Sequence, residues 1–111
     1  MRTTLAFIGG GNMARSILSG ALSAGVLSPA EIVVADPDPC SQTFFKNLGV
    51  HCVADAVEFP ESEQLLLAVK PQIFGKIARD VSSEIVISIM AGVSTENIST
   101  AITRGKVIRV M

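Results

Sequence analysis

The short apolar run Leu5-Ala6-Phe7-Ile8 passes directly into Gly9-Gly10-Gly11-Asn12-Met13-Ala14 and then into a helical pattern. Few folds place so glycine-rich a turn between a buried strand and an amphipathic helix. In such a turn Gly9 permits the sharp reversal and Gly11 lets the backbone approach a phosphate. Ala14 keeps helix and strand close. Helix amides at Asn12 and Met13 would face a pyrophosphate, aided by the helix dipole.

The rest of the chain repeats the alternation. Met13, Ile17, Leu18, Ala21 and Leu22 give the first helix an apolar face, and Gly25 is a C-terminal stop. Ser28-Pro29-Ala30-Glu31 reads as a capping box opening at most one turn. Ile32-Val33-Val34-Ala35 is a second buried strand, broken by Asp36-Pro37-Asp38-Pro39. A helix over residues 39–48 turns Phe44, Phe45 and Leu48 inward and stops at Gly49. Residues 50–53 form a third strand, and residues 55–62 are irregular or a short helix broken at Pro60. The fourth strand covers residues 65–69. A helix from Pro71 to about Asp80 buries Ile73, Ile77 and Ala78. The fifth strand covers residues 85–90, a helix starts near Ser94, and residues 106–110 form a sixth strand.

Six strands alternating with helices predict an α/β, Rossmann-type doubly wound, mostly parallel sheet. The composition agrees: 49% of residues are hydrophobic and 17% charged, with five Phe and no Trp or Tyr. An aliphatic core suits strands covered on both faces. The length, 111 residues, fits one domain, so residues 1–111 are read as a single NAD(P)-binding unit. The last strand is barely finished at Met111, and the expectation is a chain cut after it.

The bulk numbers also exclude classes. Nine Lys and Arg against ten Asp and Glu leave a net charge of -1, with the basic residues scattered. No broad basic face is expected for nucleic acid or an anionic membrane. Two cysteines, Cys40 and Cys52, and one histidine, His51, provide no metal-ligand cluster. The thiols are read as reduced and semi-buried, and His51 as a surface or strand-edge residue. No apolar run is long enough to span a bilayer, and a cytoplasmic location is expected.

Other candidate residues sit at strand ends, where ligands bind in such sheets. Asp36 closes the second strand, at a separation from Gly11 where an acidic residue accepts from adenosine ribose hydroxyls. It would repel a 2′-phosphate, which favours NAD over NADP. The same Asp36-Pro37-Asp38 segment also reads as turn chemistry, with Asp38 capping the next helix. Lys70 ends the fourth strand where phosphate or ribose passes, and Pro71 opens a helix toward the same crevice. Met90, Ala91 and Gly92 end the fifth strand at the same edge, where small residues would leave room for a nicotinamide; the segment reads equally well as a plain tight turn. No catalytic acid, base or nucleophile stands out. The cofactor carries hydride chemistry in such enzymes.

Phe7-Ile8-Gly9-Gly10-Gly11-Asn12-Met13-Ala14 resembles the N-terminal signature of the pyrroline-5-carboxylate reductases. Ala68-Val69-Lys70-Pro71-Gln72 is similar to that family's second motif, Ser88-Ile89-Met90-Ala91-Gly92-Val93 to its third, and Val107-Ile108-Arg109-Val110-Met111 to its fourth. Order and spacing match over essentially the whole chain. The resemblance implies NADPH- or NADH-dependent reduction of 1-pyrroline-5-carboxylate to L-proline, the last step of proline biosynthesis. It implies that the pyrophosphate lies on Gly9, Gly10, Gly11, Asn12 and Met13, following Ile8. Asp36 would meet the ribose, and Ala68, Val69, Lys70 and Pro71 would join Met90, Ala91 and Gly92 along the nicotinamide path.

Two departures stand out. Asp55 occupies a position where family members often carry Asn, touching the adenosine part of the cofactor. A carboxylate there accepts but does not donate, and weakens the case for strong NADP preference. The resemblance also implies a C-terminal all-helical domain that builds the dimer and most of the imino-acid pocket; it is expected to be missing here, either because this is a fragment or because the gene product is a truncated paralogue. The full-length enzyme would be a homo-oligomer through that domain, and this chain alone would turn over little. Its final strand would be exposed and prone to self-association. The alternatives are a β-hydroxyacid-dehydrogenase-like or deazaflavin-linked NADP reductase, a non-catalytic nucleotide-binding module, and an interaction protein that has lost the ligand.

Overall fold

The computed structural model describes residues 3–55 and 62–110. Six strands form one sheet: β1 (Thr3–Ile8), β2 (Ile32–Ala35), β3 (His51–Val53), β4 (Ser62–Leu67), β5 (Ser82–Ser88) and β6 (Arg104–Arg109). Among the described residues four α-helices lie between them, α1 (Asn12–Ser23), α2 (Pro39–Asn47), α3 (Pro71–Ile77) and α4 (Thr95–Ala101), with single 3-10 turns at Pro29–Glu31 and Ala78–Asp80. The strand order is β3-β2-β1-β4-β5-β6, and every pairing is parallel. Phe7 pairs with Val34 on one side and Leu66 on the other, so β1 lies at the centre.

Side-chain alternation along each strand splits the core into two layers. Leu5 and Phe7 face Ala14 and Leu18 of α1 and Phe45 of α2. Ala6 and Ile8 face the opposite layer, with Phe74 of α3 and Ile98 of α4. The sheet is thus doubly wound, with helices on both faces.

Local chemistry explains most boundaries. Helix α1 ends in a Schellman motif: Val26 N–H donates to Ala21 O at 3.1 Å and Gly25 N–H to Leu22 O at 3.2 Å, with Gly25 at φ +70. Before β2, Glu31 accepts from the amide and hydroxyl of Ser28, both at 3.1 Å, and from the Thr4 hydroxyl at 2.9 Å. The Ser28 amide is the largest of the influences that hold the Glu31 carboxyl below its usual range. Asp38 caps α2 by accepting the Cys40 amide at 3.2 Å.

Several expectations are corrected. Strand β4 begins at Ser62 and β5 at Ser82, three residues earlier than the apolar pattern indicates, and both end two residues sooner. Their polar first halves are held by ladder pairing on both sides, and the buried Ser83 hydroxyl donates to Ser62 O at 2.9 Å. Met13 is 53% exposed, since Ala14 and Leu18 occupy the inward line of α1. In α3, Phe74 rather than Ile73 is buried: Phe74 is 6% exposed and Ile73 39%. Cys40 is exposed and Cys52 half-buried, both unbridged. Apart from its end residues, the stretch expected to be irregular around Pro60 lies outside the described residues.

Candidate dinucleotide site

Because all strands run parallel, the glycine turn, Asp36, Ala54 with Asp55, Ala68 to Lys70, and Met90 to Gly92 all follow strand ends on one edge. The chain winds to one side from β1 to β3 and to the other from β4 to β6. The crevice between β1 and β4 is therefore a topological switch point. A cleft of about 480 Å³ opens there.

The glycine turn forms its floor, and each glycine has a different reason to be one. Gly9 has φ +99, and a Cβ on it would sit 2.6 Å from Ala68 O. A Cβ on Gly10 would meet Asp36 Oδ2 and Phe45 Cε2, both at 2.6 Å. Gly11 faces open space, with nothing within 4 Å of its Cβ position. Gly11 is also the N-cap of α1, and no side chain caps that helix. The first-turn amides of a helix have no intrahelical acceptor, so the 12-residue α1 presents donors and its positive dipole end beside the cleft. This cradle fits a pyrophosphate.

Asp36 ties the floor to the next wall. Its Oδ2 accepts the Gly10 amide at 2.7 Å and its Oδ1 accepts the Asp38 amide at 2.8 Å. The Gly10 N–H is therefore committed to the protein, which leaves the Gly11 amide and the first amides of α1 as the donors at this edge. The carboxylate lines the cleft with Pro37 and Asp55.

The cleft gathers Ile8, Gly9, Gly10, Gly11, Asp36, Asp55, Ala68, Val69 and Lys70 from the expected set. Asn12, Met13 and Pro71 begin the helices that flank it, outside the lining itself. Met90 is only 2% exposed and packs in the core against α3 and α4, while Ala91 and Gly92 are exposed beyond it. Sequence reasoning missed the apolar wall, Ile73 and Ile77 of α3. The signal was available: a helix opened by Pro71 at the carboxyl edge must turn its first residues toward the crevice. Among the described residues no group of His, Cys, Asp and Glu could hold a metal ion, and no helix is long and apolar enough to cross a membrane.

The family model described as NADP oxidoreductase, coenzyme F420-dependent, matches residues 4–92. The chain belongs to this family. Within the NADP oxidoreductase family, its similarity runs to the pyrroline-5-carboxylate reductases, as the four motifs indicate. It is 43% identical to that enzyme of Haemophilus influenzae, with 96% of this chain and 42% of the relative aligned. With the Thermus thermophilus enzyme it shares 37% identity over 96% of this chain and 42% of the relative. The solved pyrroline-5-carboxylate reductase of Coxiella burnetii superposes with a TM-score of 0.84 at 32% identity, covering 100% of this chain and 44% of that one. The Plasmodium falciparum enzyme, solved with NADP bound, shares the fold at a TM-score of 0.78 and 21% identity, covering 98% of this chain and 42% of that one. The chain thus spans about two fifths of the length of the relatives it matches.

Proposed function

We propose that residues 1–111 form the dinucleotide-binding domain of a pyrroline-5-carboxylate reductase, which reduces 1-pyrroline-5-carboxylate to L-proline with NADPH or NADH. The observation that carries this reading is the glycine turn at the switch point, with an open Gly11 and an uncapped α1 beside a cleft. The pyrophosphate lies against Gly11 and the first amides of α1. Asp36 and Asp55 accept from the adenosine ribose. Lys70 supplies a cation near phosphate or ribose, and Ile73 and Ile77 keep water from one wall. When bound, the nicotinamide supplies the hydride; the chain's own residues orient the cofactor. Ala91 and Gly92 leave space on the nicotinamide side. The imino-acid pocket and a homo-oligomeric assembly belong, in this reading, to the helical domain of the full-length enzyme, and the protein acts in the cytoplasm.

The family description favours a second reading, a coenzyme F420-linked NADP reductase. The 36–43% identity to several named pyrroline-5-carboxylate reductases supports the first. Amide chemical-shift mapping with NADPH tests the site. Shifts are expected at residues 9–14, Asp36 and residues 68–70; shifts confined to other surfaces would contradict it. In a protein carrying this domain, NADPH oxidation driven by 1-pyrroline-5-carboxylate rather than by a deazaflavin separates the two readings.

A further inference from the structure

Arg15 lies one turn into α1, half-buried, and its guanidinium is anchored at three points. Its Nε donates to Gly10 O at 3.1 Å, its Nη2 donates to Ser41 Oγ at 2.9 Å, and its Cζ sits 4.8 Å above the Phe44 ring. Ser41 is itself 3% exposed, with its hydroxyl 3.4 Å from both Gly10 O and Asp38 Oδ2. The single hydroxyl proton serves one of these acceptors at a time. As charge alone, Arg15 reads as one more scattered surface residue, yet its contacts join the glycine turn, α1 and α2.

The consequence follows from peptide geometry. A trans peptide is planar, and its C=O and N–H point in opposite directions. The Gly10 carbonyl and the Gly11 amide belong to one peptide plane. Holding the carbonyl toward Arg15 and Ser41 aims the Gly11 N–H the other way, away from Arg15. On the preceding peptide, Asp36 holds the Gly10 N–H. Two successive planes of the turn are thus fixed by side chains from outside it. Glycines have the widest conformational freedom of any residue, so such a turn depends on external anchors.

We propose that Arg15 is a positioning residue of the dinucleotide site: it fixes the Gly10–Gly11 peptide so that the Gly11 amide donates to the cofactor pyrophosphate. The proposal rests on the reading of the cleft as a dinucleotide site. Arg15 touches the backbone and not the cofactor, so its removal weakens every ligand with a pyrophosphate to the same degree, whatever the rest of the ligand carries.

The test compares the wild-type chain with Arg15→Met and Arg15→Lys, using ADP-ribose, NADH and NADPH as probes. Arg15→Met keeps the aliphatic stem but removes the donors together with the guanidinium stacked on Phe44. It is expected to stay folded and to lose about tenfold affinity for all three ligands alike, the scale of one well-made hydrogen bond. The Gly11 amide resonance of the ligand-free chain shifts and exchanges faster. Arg15→Lys restores part of the affinity, because an ammonium reaches one acceptor but lacks the fork. Where Arg15→Met does not fold, Ser41→Ala carries the test, with an equal loss of about threefold expected for all three probes. Wild-type affinity in folded Arg15→Met, or in Ser41→Ala where that variant carries the test, overturns the role of Arg15. So does a loss confined to NADPH, which would mean direct contact with the 2′-phosphate. A folded wild-type chain that binds no ADP-ribose overturns the reading of the cleft itself.

Discussion

The Asp36 carboxylate accepts the backbone N–H of Gly10 at 2.7 Å, joining the end of β2 to the glycine turn after β1. Its other oxygen accepts the Asp38 amide. An acidic residue at this point therefore has a folding role before any ribose arrives. Asp36→Ala leaves both amides without their acceptor and is expected to lower stability by about 1–3 kcal/mol. Asp36→Asn keeps one acceptor and costs less. Urea midpoints of the two variants check the order; equal midpoints to the native chain would show the contact is idle.

Gly10 and Gly11 separate folding from binding. The space for a Cβ at Gly10 is filled by Asp36 and the Phe45 ring, both at 2.6 Å. Gly10→Ala is expected to destabilise by about 1–3 kcal/mol through overpacking. Gly11→Ala meets nothing within 4 Å. It should cost under about 1 kcal/mol as a poorer N-cap, yet abolish most dinucleotide affinity by putting a methyl where the pyrophosphate approaches. Thermal midpoints together with nucleotide titrations distinguish the two effects.

Much of this site was legible because its residues punctuate the chain. Three glycines after an apolar strand, and Asp36-Pro37-Asp38-Pro39 after another, mark strand ends whatever the rest does. The first halves of β4 and β5 were not legible. Ser62-Glu63-Gln64 and Ser82-Ser83-Glu84 have poor strand propensity, and only pairing from both neighbours makes them strands. Met90 looked like a site residue by position at a strand end, but the layer of α3 and α4 buries it. Arg15 was invisible for the opposite reason: its role lies in a contact with Gly10 O and Ser41, and no periodicity reports such a contact.

Ser62 and Ser83 form a buried polar pair between β4 and β5, with hydroxyl oxygens 3.1 Å apart. Replacing both with Ala removes the two polar partners together, whereas Ser83→Ala alone removes the donor to Ser62 O. The single variant should cost about 1–3 kcal/mol, and the double variant less than the sum of the singles. Additive losses in a double-mutant cycle would show that the hydroxyls act independently.

Glu31 links the start of β1 to the turn before β2, and its carboxyl is held below its usual range chiefly by the Ser28 amide. The folded state thus binds protons less readily there than the unfolded chain. The stabilisation is fully present above the ordinary carboxylate pKa and is lost as pH falls through the lowered one. Glu31→Gln should therefore narrow the stability difference between neutral and acid pH. An unchanged acid limb in pH-dependent urea melts would refute this.

Under the proposed function, the cleft between β1 and β4 binds a nicotinamide dinucleotide. With no Trp or Tyr in the chain, the fluorescence of the reduced nucleotide can be followed directly. The chain is titrated with NADPH and, in parallel, with NADH. Saturable binding of both is expected, with NADH bound at least as tightly as NADPH because Asp36 and Asp55 oppose a 2′-phosphate. No saturable binding of either nucleotide by the folded chain would rule out a dinucleotide site in this cleft.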